Sequence, residues 1–115
     1  MAASPAKFVH EGAAVDYTPG ADTPVGTVVV QADLVGVASG TIKAGQPGAL
    51  MVTGVFEFAK AGGAGSAIPA GTLTYWDAAN QVATKNASAG ATKLLGKAVK
   101  ATVDADAFVR VRLQQ

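Results

Sequence analysis

The chain has 115 residues, a formal net charge of +1, 15% charged residues and no cysteine. One domain with a small core is expected at this length. Disulfides and thiolate metal sites are excluded, and the single histidine, His10, excludes a multi-histidine site within one chain. No window approaches the ~18 apolar residues of a membrane span. Residues 1–7 lack the apolar segment of a secretory signal, so synthesis in a cytoplasm is expected. The 14 glycines exceed the ~7% of an ordinary protein and follow no period. Scattered glycine among β-branched runs predicts many short strands joined by tight turns. So weakly charged a surface has little self-repulsion and favours association.

In chain order, residues 1–6 contain Pro5 and small polar side chains, and read as a flexible arm ahead of a single domain over 7–115. Residues 7–11 alternate, with Phe8 and His10 on one face, and Gly12 breaks the pattern. Residues 14–18 resume it with Val15 and Tyr17. A turn cluster follows over 19–24. The run Val28, Val29, Val30 is β-branched and disfavours helix. Residues 31–33 turn, and residues 34–38 form the next strand. Ser39 and Gly40 are the candidate turn of a hairpin returning through residues 41–43.

Residues 48–60 read as the central strand. Leu50, Val52, Phe56 and Phe58 fall on one face, and Met51, Thr53, Val55 and Glu57 on the other. Gly54 interrupts the apolar face and marks a bulge, a bend or a close backbone approach. Residues 61–71, with Gly62, Gly63, Gly65, Ser66 and Pro69, read as a flexible loop. Strands are expected at 72–77 and 81–84, with a second polar loop over 85–92. Residues 93–102 have helix-like Ala and Lys content. Gly96, Val99 and the surrounding strands make this a strand. Asp104, Ala105 and Asp106 turn. Residues 107–113 then alternate, with Val109, Val111 and Leu113 inward and Phe108, Arg110 and Arg112 outward. Eight or nine short strands without a long amphipathic helix predict an all-β fold, a small barrel or a sandwich.

Chemistry is sparse. Gly62, Gly63 and Gly65 lack the following Lys and helix of a phosphate loop, and Pro69 and a strand come instead. Asp77, Asp104 and Asp106 stand where Asp supports turns; two carboxylates alone make a poor cation site. Glu57 has Arg110 or Arg112 as a potential ion-pair partner. No Ser stands in a nucleophile elbow for His10 to serve. Tyr75 and Trp76 point to opposite faces, so one ring is in the core and the other outside. An exposed Trp76 beside Phe108 would mark an interface, and ordinary burial on both faces is the alternative. Arg110 and Arg112, with Lys97 and Lys100, form a modest basic stripe without interleaved stacking rings, which gives nucleic-acid binding little support.

Several motifs in order carry a family resemblance. They are Glu11-Gly12 before Val15-Asp16-Tyr17, then Asp33-Leu34-Val35-Gly36-Val37-Ala38. Gly48-Ala49-Leu50 leads into Val52-Thr53-Gly54-Val55-Phe56-Glu57-Phe58-Ala59-Lys60. Tyr75-Trp76-Asp77, Leu95-Gly96-Lys97-Ala98-Val99 and Val109-Arg110-Val111-Arg112-Leu113 follow. This pattern, from Phe8 to Leu113, resembles the small capsid cement, or decoration, proteins of tailed phages and prophages. Some relatives carry a recombinase label. It does not suit this chain, which lacks the Walker motif and is too short for that ATPase core.

The resemblance implies a non-enzymatic structural protein of the virion, made in the host bacterial cytoplasm. It would bind the major capsid protein outside the head, often as a trimer, without a cofactor or a membrane. The expected working surfaces are the arm residues Lys7, Phe8, Val9 and His10, the loop glycines Gly62, Gly63 and Gly65, and Trp76, Arg110 and Arg112. The alternative is a small barrel that binds nucleic acid or another ligand. That reading requires a contiguous Arg/Lys face with exposed rings. A hydrolase would require His10 within reach of a Ser in a cleft.

Overall fold

Short runs carrying valine, leucine or phenylalanine form nine strands in a computed structural model that describes residues 6, 8–88 and 91–114. The strands are β1 (Ala14–Tyr17), β2 (Val28–Gln31), β3 (Leu34–Ala38), β4 (Gly48–Met51), β5 (Gly54–Ala59), β6 (Leu73–Asp77), β7 (Val82–Thr84), β8 (Lys93–Ala98) and β9 (Phe108–Leu113). They make two antiparallel sheets, one ordered β1-β4-β3-β2 and the other β5-β9-β8-β6-β7. No helix among the described residues is long and apolar enough to cross a membrane.

The two sheets pack as a sandwich rather than a closed barrel. Val28, Val30, Val35 and Val37 of the four-stranded sheet meet Phe56, Phe58, Trp76, Leu95, Val109, Val111 and Leu113 of the five-stranded sheet. The rings of Phe58 and Trp76 lie 5.9 Å apart and tilted, a favoured aromatic arrangement. The five-stranded sheet curls until its edges touch at one parallel bridge, Lys60 to Ala83. That single bridge does not close it.

The four-stranded sheet buries its other face too. Ala38, Leu50, Val15, Tyr17 and Val29 form a second, smaller cluster, capped by Ile42. Gly48 makes room for that cap, since a Cβ there would stand 2.5 Å from Ile42. Ile42 reaches this position through a bridge to Thr23. Residues 41–43 are therefore a plug over the sheet and not the return arm of a hairpin; β3 pairs instead with β2 and β4.

The expected central strand over 48–60 is two strands in different sheets. β4 lies inside the first sheet and β5 on the edge of the second. The chain crosses between them at Val52 and Thr53, and Gly54 takes φ +105°, which other residues rarely adopt. Leu50 and Phe58 consequently serve different cores.

Candidate functional site

The sequence candidates do not converge. Phe8, Val9 and His10 lie outside every strand, with Phe8 80% and Val9 81% exposed. The Nδ1 of His10 accepts the Gly12 amide at 2.9 Å. Among the described residues no hydrogen bond joins His10 to a serine, and no group of three or more His, Cys, Asp or Glu is placed to hold a metal ion. Lys7 lies outside the described residues.

Trp76 corrects the expectation of an exposed ring. It is only 4% exposed and packs on Phe58, so it offers no surface to a partner. Its neighbours explain the choice between the two rings. Thr74 and Trp76 share the inward face of β6, and the curl of the sheet wraps around them, leaving Tyr75 partly exposed on the other side.

The loop over 61–71 is tethered, contrary to the expected free loop. Gly62, Gly63 and Gly65 are exposed, but a lysine that sequence reasoning passed over holds the base. Lys60 is 5% exposed. Its Nζ donates toward Ala61 O at 2.8 Å, Ser66 Oγ at 3.1 Å, and the Asp104 and Asp106 carbonyls at 3.3 Å each. A buried ammonium is tolerable only with such partners. From the other side, the Asp104 carboxylate accepts the Ala67 amide at 2.8 Å and the Gly65 amide at 3.3 Å. Ile68, fully buried, accepts the Thr102 amide at its carbonyl and donates its own amide to the Thr102 hydroxyl. The two loops thus form one bracket. A signal was available: the alternation that turns Phe56 and Phe58 inward places Lys60 on the same face.

The Ala67 amide, then the Gly65 amide, hold the Asp104 carboxyl below its ordinary value of 3.8, and the Lys60 charge adds to this. A depressed folded-state pKa contributes stability above the unfolded value, and that contribution disappears as the pH falls through the lower folded value. The bracket is therefore expected to loosen below pH 3.8. Protection of the Gly65 and Ala67 amides, corrected for intrinsic exchange, should fall there. Asp104→Asn should remove most of that acid dependence. Unchanged protection through the acid range would refute it. Asp77 is likewise held low, first by the Asn80 side-chain amide. Asp106 Oδ2 accepts the Val103 amide. These are turn-forming carboxylates.

Arg110 and Arg112 are exposed on the outer face of the five-stranded sheet, as the alternation requires. Register builds rows across that face. Val55, Arg112, Lys97 and Leu73 align through β5, β9, β8 and β6. Glu57 opposes Arg110 in the next row, and Ala59 opposes Phe108 beyond it. Among the described residues the ion pairs are Lys43 with Asp22 and Lys93 with Asp33, so the expected Glu57 pair with Arg110 or Arg112 does not form. Val55, Leu73, Val99 and Phe108 are large apolar side chains left about half exposed on or beside this face. Together with Lys97, Lys100, Arg110 and Arg112 they make a basic face with apolar rows.

A family model described as phage cement protein matches residues 9–113. No curated protein and no solved structure matches the chain.

Proposed function

The chain belongs to the phage cement protein family, and from that membership we propose that it binds the outer surface of a tailed-phage or prophage head. It strengthens the shell there without catalysis, as a trimer seated on the major capsid protein, after synthesis in the host cytoplasm. The observation that carries the reading is the extent of the match, which runs from Val9 to Leu113 and so covers both sheets. A cement needs a stable fold and surfaces that prefer the assembled lattice. Ligands that bind only the intact state stabilise it by mass action.

Two surfaces suit that work. The arm presents Phe8 and Val9 with no cover from its own domain, and it pays its ordering entropy on docking. Burying two such side chains yields about 1.5–3 kcal/mol each. Phe8→Ala with Val9→Ala should weaken binding to heads by tenfold or more and leave the melting temperature unchanged. Equal binding would remove the arm from the contact. The basic face suits the other contact that a trimer needs, the one between copies.

The test of the whole reading is co-sedimentation with undecorated heads. Binding should saturate at a fixed number of copies and raise the temperature at which heads rupture. A nucleic-acid reading finds some support in the four cations on or beside the face that carries Phe108. Among the described residues Phe108 is the one largely exposed ring on that face, which is short of the stacking platform that single-strand binders use. A chain that ignores heads and retards DNA would replace the cement reading with that one.

A further inference from the structure

Charge is divided between the two sheets. Residues 1–52 carry Lys7 and Lys43 against Glu11, Asp16, Asp22 and Asp33, whereas residues 53–115 carry seven cations against four carboxylates. Four of those cations, Lys97, Lys100, Arg110 and Arg112, gather on or beside the outer face of the five-stranded sheet, where Glu57 is the anion within the rows. Asp22 and Asp33 are paired with Lys43 and Lys93. Glu11 and Asp16 are exposed and have no ion-pair partner among the described residues.

The position of Asp16 gives the acid half a matching surface. Val35 and Val37 of β3 point toward the second sheet. Register places Met51, Ala49, Ala14 and Asp16 on that same side, because Val37 opposes Met51, Met51 opposes Ala14, and Ala49 opposes Asp16. Yet no residue of β1 or β4 joins the core between the sheets. The β1–β4 end therefore overhangs as a shelf of small and partly exposed apolar side chains, with Asp16 on it and Glu11 just before it.

We propose that the basic, apolar-rowed face of one copy docks on the acidic β1–β4 shelf of the next, so that the protein associates head to tail. The occupant is a second copy of this chain. Face-to-face pairing of two identical basic faces would set four cations against four, which is disfavoured. Basic face against acidic shelf matches opposite charges and gives Val55, Leu73 and Phe108 an apolar surface to cover. Such an interface uses two different patches and closes into a ring when the rotation allows. Charge sets partner choice and register while apolar burial holds the contact. The inference rests on the ring-forming part of the cement reading and not on shell binding.

The experiment measures solution mass and head binding on the full-length chain. Wild type should be an oligomer whose association weakens as salt rises. Arg110→Glu with Arg112→Glu should lower the mass to that of one chain, and so should Glu11→Lys with Asp16→Lys. Combining all four substitutions should restore the oligomer, and emission from buried Trp76 reports that each variant is folded. A monomeric wild type, or an Arg110/Arg112 variant that keeps the wild-type mass, overturns the proposal. If that variant keeps its mass but no longer sediments with heads, the basic face meets the shell, and the proposal again falls. Wild-type oligomers that ignore heads would sink the cement reading while leaving this interface standing.

Discussion

Gly96→Ala is expected to lower stability by about 3 kcal/mol, at the upper end of what overpacking costs, and to drop the melting temperature by roughly 10 °C. The reason is space. A Cβ on Gly96 would lie 1.9 Å from the Arg112 carbonyl oxygen and 2.8 Å from the Gln114 nitrogen. Those are backbone atoms of the neighbouring strand, so no side chain can swing away. The register of β8 on β6 slips beside it, with Thr74 opposing Gly96 and Tyr75 opposing Leu94. Two residues there face a shorter run on the partner, the geometry of a bulge. β9 presses into the kink, and Gln114 N bonds Leu95 O at 2.9 Å. Gly62→Ala is the control: nothing lies within 4 Å of its added Cβ, and its melting temperature should not move. A Gly96→Ala protein melting within two or three degrees of wild type, on the same scale, would refute this account of β8.

Lys60→Met should cost about 3 kcal/mol, since several part-buried acceptors lose a charged donor, at up to ~1–3 kcal/mol each. Methionine keeps most of the apolar stem, so the loss reports the ammonium and not the packing. The carbonyls of Ala61, Asp104 and Asp106 and the hydroxyl of Ser66 are the groups left behind. The bracket between residues 61–71 and 99–107 should then open locally before the domain melts. Cleavage within the exposed Gly62–Gly65 segment by a non-specific protease should become several-fold faster. Equal stability together with equal protease resistance would show that Lys60 holds nothing.

Much of the fold was legible where one signal governed. β3 has the expected bounds because Ala32-Asp33 turn the chain before it and Ser39-Gly40 leave the sheet after it. β9 alternates as expected because one face meets the core and the other meets water. Residues 48–60 misled for the opposite reason. Alternation continues unbroken across Val52 and Thr53, and a pattern of period two cannot tell which of two cores an inward face serves. Gly54 was the single mark of the crossing. Lys60 was hidden by its type: charge suggests a surface position, and two of the four acceptors that make burial tolerable come from residues 104 and 106, far away in sequence. Trp76 and Tyr75 were a coin with two faces until the curl of the sheet chose one. The basic face was visible as single residues, yet the rows through Val55, Arg112, Lys97 and Leu73 depend on strand order, which local pattern does not carry.

The crossing at Val52 and Thr53 also divides the chain in time. Every strand before it belongs to one sheet and every strand after it to the other. During synthesis from the N-terminus, β1 to β4 can therefore complete all their pairings before β5 exists. Ile42 can already seal one side of that sheet, but Val28, Val30, Val35 and Val37 stay bare until the second half arrives to cover them. Between the emergence of Met51 and the docking of β9 that apolar face is open to misassociation, for at least the time it takes to synthesise residues 52–113.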